Sequence, residues 1–243
     1  MNYIHPDAAI GANCVIGLFS VIGEGAYIGS GTSMGNNVTV YPGTFIGDNC
    51  LVGDNCVIGK QPHPAKTSTT RLTAPLRPLR VGPGGVIGSG VVLYAGTSLG
   101  EEVMAGDMAS VRELCQVGRR VIIGCGAVLE NDVVVGDYAK IQTGAYLTAH
   151  TVVGEGAFIA PMVVTANDNC MGRTEERFVK IQGPKIGKNA RVGAGAVILP
   201  GVMVAEETFV AAGALVTRDT LPETVVAGCP ARLIRNVPQH EKR

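Results

Sequence analysis

The sequence has no excess of either charge. Twenty Lys and Arg stand against twenty Asp and Glu in 243 residues, a formal net charge of zero. Neither a nucleic-acid footprint nor attraction to an anionic membrane is therefore expected, and the partners should be small molecules. No apolar run approaches the roughly 18 residues of a membrane span. The start, MNYIHPDAAIGANC, lacks the charged and apolar regions of a secretory leader, so a cytoplasmic protein is expected. The seven cysteines include no C-x-x-C pair. Cys14, Cys50, Cys56 and Cys115 all fall on one position of a repeat that elsewhere holds Ala, Val, Ser and Thr. They read as small core residues and free thiols in preference to a disulfide framework or a zinc site. Histidine is scarce too: His5 and His240 lie near the ends, His63 lies outside the repeat, and His150 alone is built into it.

Glycine, by contrast, is abundant, at 34 residues with no G-X-Y period. Cut in sixes from Ile10, the chain reads IGANCV, IGLFSV, IGEGAY, IGSGTS and onward to Lys60; it resumes at Val81 and again at Ile186. The three blocks hold 9, 15 and 6 hexads, and the first position is Ile, Val, Leu or Met in 28 of the thirty. A period of six fits neither an amphipathic helix nor simple strand alternation, but it suits a short strand and a tight turn, repeated. Each unit is too small to bury its apolar residue alone, so the units must stack into a solenoid.

On these hexads the chain resembles the hexapeptide-repeat acyltransferases over about residues 4 to 220, with 221–243 as a C-terminal tail. The resemblance implies an all-β fold, a left-handed parallel β-helix of about ten coils with three hexads per coil. It also implies homotrimers whose active sites lie between neighbouring prisms. With three hexads per coil, every third hexad lies on one side. Side one, from Ile10, has Gly at the second position in nine of ten hexads, and side two, from Ile16, in seven of ten. Side three, from Ile22, keeps only Gly23 and Gly59 and elsewhere carries Tyr41, Tyr94, Arg112, Glu130, Thr148, Ala166, Leu199 and Thr217. If the glycines permit a strained turn, one side has exchanged them for side chains, which suits a subunit interface or a ligand groove.

Two insertions, 60–80 and 166–185, both follow a side-three hexad. Five coils separate them, or about 24 Å at the usual strand spacing, roughly the reach of an extended coenzyme A. Loops of this length are uncommon and usually functional. On side three the fourth hexad position reads Gly96, Leu114, Asp132, His150 and Asp168 on successive coils. This predicts a stack of acid, His and acid, the arrangement that holds an imidazole in one tautomer and prepares a general base. A surface His on a polar ladder is the other reading.

The stretch from Lys140 through KIQTGAYLTAHTVV and TANDNCMGRTEERF, with VAGCPAR later, resembles the subset that N-acylates amino sugars carried on nucleotides. Relatives there often read K-I-Q-N-N, whereas Thr143 and Gly144 follow Gln142 here. The resemblance implies acetyl-CoA as co-substrate and no metal. His150 would be the base, oriented by Asp132 or Asp168. Asn167, Asn169, Gln142, Tyr94 and Arg112 are substrate-side candidates, joined by Arg173, Glu176 and Arg177, whose charges suit a diphosphate, a sugar carboxylate or solvated salt bridges. For the nucleotide end of the cofactor the resemblance points to the C-terminal coils, where Lys185, Lys188, Arg191, Arg218 and Arg232 enrich positive charge. O-acetylation or a diaminopimelate-type N-acylation on the same scaffold is the alternative. A γ-carbonic anhydrase-like site needs three converging His, two of them close in sequence, and a purely structural β-helix would have no insertions.

Overall fold

A computed structural model describes residues 1–68 and 74–243, so the middle of the first insertion lies outside the described residues. Two-residue strands recur every six positions, as in Val21–Ile22, Tyr27–Ile28 and Ser33–Met34. Each pairs in parallel with the strand one coil on, Val21 with Thr39 and Ile22 with Val40. The strands form three sheets of 10, 12 and 11 strands, which are sides one, two and three of the sequence reading. The result is a parallel β-solenoid of triangular section. It exceeds the expected ten coils because pairing begins at Tyr3–Ile4, ahead of the first full hexad, and continues into the C-terminal tail.

The periodicity is a packing requirement. First-position residues such as Ile22, Ile28, Ile58, Leu129 and Leu147 are fully buried, each layered on its counterparts in adjacent coils. Burial on this scale stabilises by about 1.5–3 kcal/mol per side chain, and it exists only because neighbouring coils supply the cover. The fifth position holds small residues in the same core, among them Ala26, Ala109, Ala127, Cys50, Cys56 and Cys115, all fully buried. All seven cysteines are free thiols. Burial pushes the Cys115 thiol up to about 12 and raises those of Cys50 and Cys56 as well.

The glycine column has a different cause from the one expected. Apart from Gly59, at φ 88° where the first insertion leaves the coil, second-position glycines are not in left-handed turns; they sit where the next coil passes. A Cβ on Gly124 would lie 2.5 Å from the Thr143 nitrogen, and one on Gly136 would lie 2.6 Å from that of Glu155. Positive φ belongs to the fourth position, at the corners, where Asn13, Asn37, Asn49, Asn55, Tyr138, Asp132 and His150 all adopt it.

Neither insertion hides a lost hexad, since the strand order in each sheet runs on without a gap. Across the first, Val57 pairs with Val92; across the second, Val164 pairs with Val197. Both leave sheet three, five strands apart. The base of the first is clasped by Gln61, whose side chain donates to the Leu76 carbonyl at 2.9 Å and accepts from the Leu76 N–H at 3.0 Å. At the far end, Thr224–Gly228 adds a parallel strand to sheet two, and Ala231–Asn236 returns antiparallel to it. That hairpin covers the last edge, which would otherwise present unpaired backbone. No helix among the described residues is long and apolar enough to cross a membrane.

Candidate active site

His150 lies on the corner between the sheet-three strand Tyr146–Leu147 and the sheet-one strand Val152–Val153, at φ 65°. Asp132 occupies the same corner one coil earlier, at φ 59°. The shared left-handed turn aims both side chains outward, and His150 Nδ1 lies 3.9 Å from Asp132 Oδ2, with side chains 48% and 38% exposed. Asn131 donates to the same carboxylate oxygen at 2.7 Å and fixes it. The His150 turn is braced from beneath. Thr151 Oγ1 donates to the Thr148 carbonyl at 2.7 Å, and the Thr148 N–H donates to Thr165 Oγ1 at 2.7 Å.

The predicted third member of the stack is not there. Asp168 makes no hydrogen bond or ion pair with His150 among the described residues. The chain leaves the coil after Asn167, and Gly183 takes the next rung: a Cβ on it would lie 2.4 Å from the His150 carbonyl carbon, and Pro184 accepts from the Val152 N–H. Asp168 instead organises the second loop. Its carboxylate accepts the N–H groups of Cys170, Met171 and Gly172 at 2.7, 3.1 and 3.1 Å, with Arg177 Nε 3.3 Å away. Partial desolvation pushes this carboxyl up, but the three N–H groups and Arg177 outweigh it and hold it below its ordinary value. Asn167 does reach the His150 turn, where its amide donates to the Ala149 carbonyl at 3.4 Å.

Of the remaining loop candidates, Arg177 is committed to Asp168 and Glu176 pairs with Lys180 at 2.5 Å. Arg173 and Asn169 are exposed, and neither side chain has a partner among the described residues. Gln142 follows the sheet-two strand Lys140–Ile141, so the width of sheet three separates it from the His150 corner.

The second-position side chains of sheet three form a ladder. Lys60 Nζ and the Arg112 guanidinium lie 5.5 and 5.3 Å from the Tyr94 ring centre. Arg112 is held by Glu113 through two bonds of 2.9 Å and by Glu130 at 3.1 Å. Glu113 is fully buried, and its hydrogen bonds raise the Arg112 pKa against the opposing effect of desolvation. Tyr94 and Arg112 line a cavity of about 320 Å³ at the base of the first loop with Lys60, Pro62 and His63. The Arg112 charge is thus already matched, and Lys60 is the less committed cation of that cavity.

The five cofactor candidates do not form one group. Arg218 and Arg232 line a cavity of about 190 Å³ against the C-terminal hairpin. Arg191 lies in a separate cavity on sheet two. Lys185 is exposed on sheet one, and Lys188 pairs with Glu155 at 3.3 Å. Sequence reasoning passed over Thr165 and Glu113. Thr165 gave a signal, being one of two first positions without a large aliphatic residue. Glu113 stands at a variable hexad position and gave none.

Two family models match. "Bacterial transferase hexapeptide (six repeats)" covers residues 183–218, and "Hexapeptide repeat of succinyl-transferase" covers 8–42, 43–59 and 115–149. Among curated relatives, the galactoside O-acetyltransferase of Escherichia coli is 40% identical over 57 residues, 24% of this chain and 28% of that protein. The 2,3,4,5-tetrahydropyridine-2,6-dicarboxylate N-acetyltransferase of Staphylococcus aureus is 57% identical over 44 residues, 18% of each chain. These matches span less than a third of the relatives' own lengths. Among solved structures, the LpxA protein of Acinetobacter baumannii matches 96% of this chain and 71% of its own, at 18% identity and TM-score 0.53. The UDP-N-acetylglucosamine acyltransferase of Arabidopsis matches 97% and 72%, at 16% identity and TM-score 0.53. At such identities the likeness is one of fold. Thirty hexads, two matching hexapeptide models and a three-sided parallel solenoid agree, and the chain belongs to the hexapeptide-repeat acyltransferase superfamily.

Proposed function

We propose that the protein is an acyltransferase that moves an acetyl group from acetyl-CoA to the amino group of a nucleotide-linked amino sugar. The observation that carries this reading is the His150–Asp132 pair, half exposed on a braced corner next to the mouth of the second loop. With the Nδ1 edge of His150 toward the carboxylate, Nε2 serves as the basic atom. His150 takes a proton from the attacking amine as its nitrogen bonds to the thioester carbonyl carbon. Collapse of the tetrahedral adduct breaks the C–S bond, and the departing thiolate recovers a proton. At 3.9 Å the pair is too long for a direct hydrogen bond, so a bridging water or closure around substrate completes it. Asn167 positions the His150 turn, and Arg218 and Arg232 offer donors to a phosphate at the C-terminal end. A homotrimer fits the one face whose second-position glycines have mostly given way to side chains, and seven free thiols fit a reducing cytoplasm.

The names of the curated relatives support acyl transfer and also supply the second reading, O-acetylation of a hydroxyl or N-acetylation of a dicarboxylate amine. A thiol-release assay with acetyl-CoA against nucleotide amino sugars, plain galactosides and amino dicarboxylates separates them. Release with a nucleotide amino sugar is the expected result; release only with a galactoside or a dicarboxylate overturns the choice of acceptor.

A further inference from the structure

Thr165 breaks the pattern of sheet three. First positions on that side, from Ile22 to Val216, are Ile, Val or Leu everywhere else, and Thr165 alone carries a polar atom into the core. It sits where the backbone ladder is incomplete. One coil earlier both strand residues pair, Val128 with Tyr146 and Leu129 with Leu147. The next rung keeps a single pair, Tyr146 with Val164. Ordinarily the second-position N–H donates to the first-position carbonyl of the next coil, as Arg112 does to Leu129 at 2.8 Å and Glu130 to Leu147 at 2.9 Å. By that rule the Thr148 N–H belongs to the Thr165 carbonyl. Here it donates to Thr165 Oγ1 at 2.7 Å. The hydroxyl stands in for a carbonyl that the ladder has lost, two residues before the chain leaves the coil.

Thr151 departs from its own column as well. At the same hexad position Thr32 and Thr97 donate across to the next coil, to the carbonyls of Gly47 and Arg112. Thr151 turns back to the Thr148 carbonyl at 2.7 Å and lies 3.3 Å from Thr165 Oγ1. Thr148, Thr151 and Thr165 are all buried, so their polar groups depend on one another for partners. Thr165 accepts the Thr148 N–H and keeps its own proton for Thr151 Oγ1 or the Tyr146 carbonyl, each at 3.3 Å. Thr148 and Thr151 are the two ends of the turn that carries His150.

We propose that Thr165 is a positioning residue for His150. Its hydroxyl fixes one end of the turn directly and the other through Thr151. The left-handed corner therefore keeps the imidazole beside Asp132 while the chain of the next coil is free to open into the second loop. The effect on rate rests on the reading of His150 as the base; the effect on geometry does not.

Thr165→Val removes the hydroxyl and keeps the shape, whereas Thr165→Ser keeps the hydroxyl and loses the methyl group. The first readout, on the full chain, is the imidazole Cε1–H NMR signal of His150, picked out among four histidines by its loss in His150→Ala. It should move in Thr165→Val toward its place in Asp132→Asn, and Thr165→Ser should restore it. The second is thiol release from acetyl-CoA. Here Thr165→Val should lower kcat about 10- to 100-fold, the cost of a misplaced catalytic group, with little change in KM for acetyl-CoA. A moved signal with unchanged kcat keeps Thr165 in its role and removes His150 as the base. An unmoved signal in Thr165→Val, or one moved as far in Thr165→Ser, overturns the proposal whatever kcat does. Should Thr165→Val fail to fold, Thr151→Val cuts the same link from the other side, and an unmoved signal there overturns the proposal equally.

Discussion

His150 Nδ1 stands 3.9 Å from Asp132 Oδ2 across one coil, both residues on left-handed corners of the same edge. In the mechanism proposed above, Nε2 is the basic atom and Asp132 its orienting partner. His150→Ala should lower kcat about 10²- to 10⁴-fold, the range of a lost general base, with little change in KM for acetyl-CoA. Asp132→Asn should cost less and again act on kcat. Steady-state kinetics decide it: unchanged kcat in His150→Ala would remove the base from the mechanism.

Two glycines two residues apart should answer differently to the same substitution. A Cβ on Gly124 meets the backbone of the next coil at 2.5 Å, whereas Gly126, at φ 62°, has nothing within 4 Å. Gly124→Ala should destabilise by about 3 kcal/mol, at the upper end of overpacking costs. Gly126→Ala should cost about 1 kcal/mol for the left-handed backbone alone, and Gly126→Asn less, since Asn tolerates that region. Denaturant midpoints test the order, and equal losses at both positions would show that contact is not the cause.

The hexad beat made the solenoid, the three sides and the exit points of both loops legible, because each depends on a local rule repeated along the chain. Asp168 was misplaced for a related reason. Counting by sixes carries it to the rung above His150, but Thr165 spends its hydroxyl on the Thr148 N–H and the chain then turns out of the coil, so Gly183 takes the place. An insertion's first residues obey its own hydrogen bonds and not the repeat. The cofactor candidates are spread over the solenoid because positive charges close in sequence lie on different sides of a prism that turns a corner every six residues. Glu113 left no trace in the pattern, since a variable position does not reveal that its occupant is buried.

Glu113 is fully buried and held by two 2.9 Å bonds from Arg112. Removing the guanidinium strands a charge in the wall of the solenoid, which typically costs about 3–5 kcal/mol. Arg112→Ala should therefore be strongly destabilised, and Arg112→Met with Glu113→Leu should regain most of the loss. Thermal unfolding of the singles and the double closes the cycle. A double variant as unstable as Arg112→Ala would mean that packing, not charge pairing, holds this corner.

Asp168 ties the second loop to itself through the N–H groups of Cys170, Met171 and Gly172. Its pKa is depressed in the folded chain, so its contribution is complete above the ordinary carboxylate range and is lost as pH falls through the depressed folded value. Loop order should accordingly be constant between about pH 5 and 8, well above the unperturbed value near 4, and fail only in stronger acid. Asp168→Ala should abolish amide protection at 170–172 at neutral pH while the coils stay protected. Asp168→Asn, which keeps an acceptor but loses the charge facing Arg177, should fall between. Hydrogen-exchange protection factors read this directly. Protection in Asp168→Ala equal to the parent's would mean that the loop is held by something other than this carboxylate.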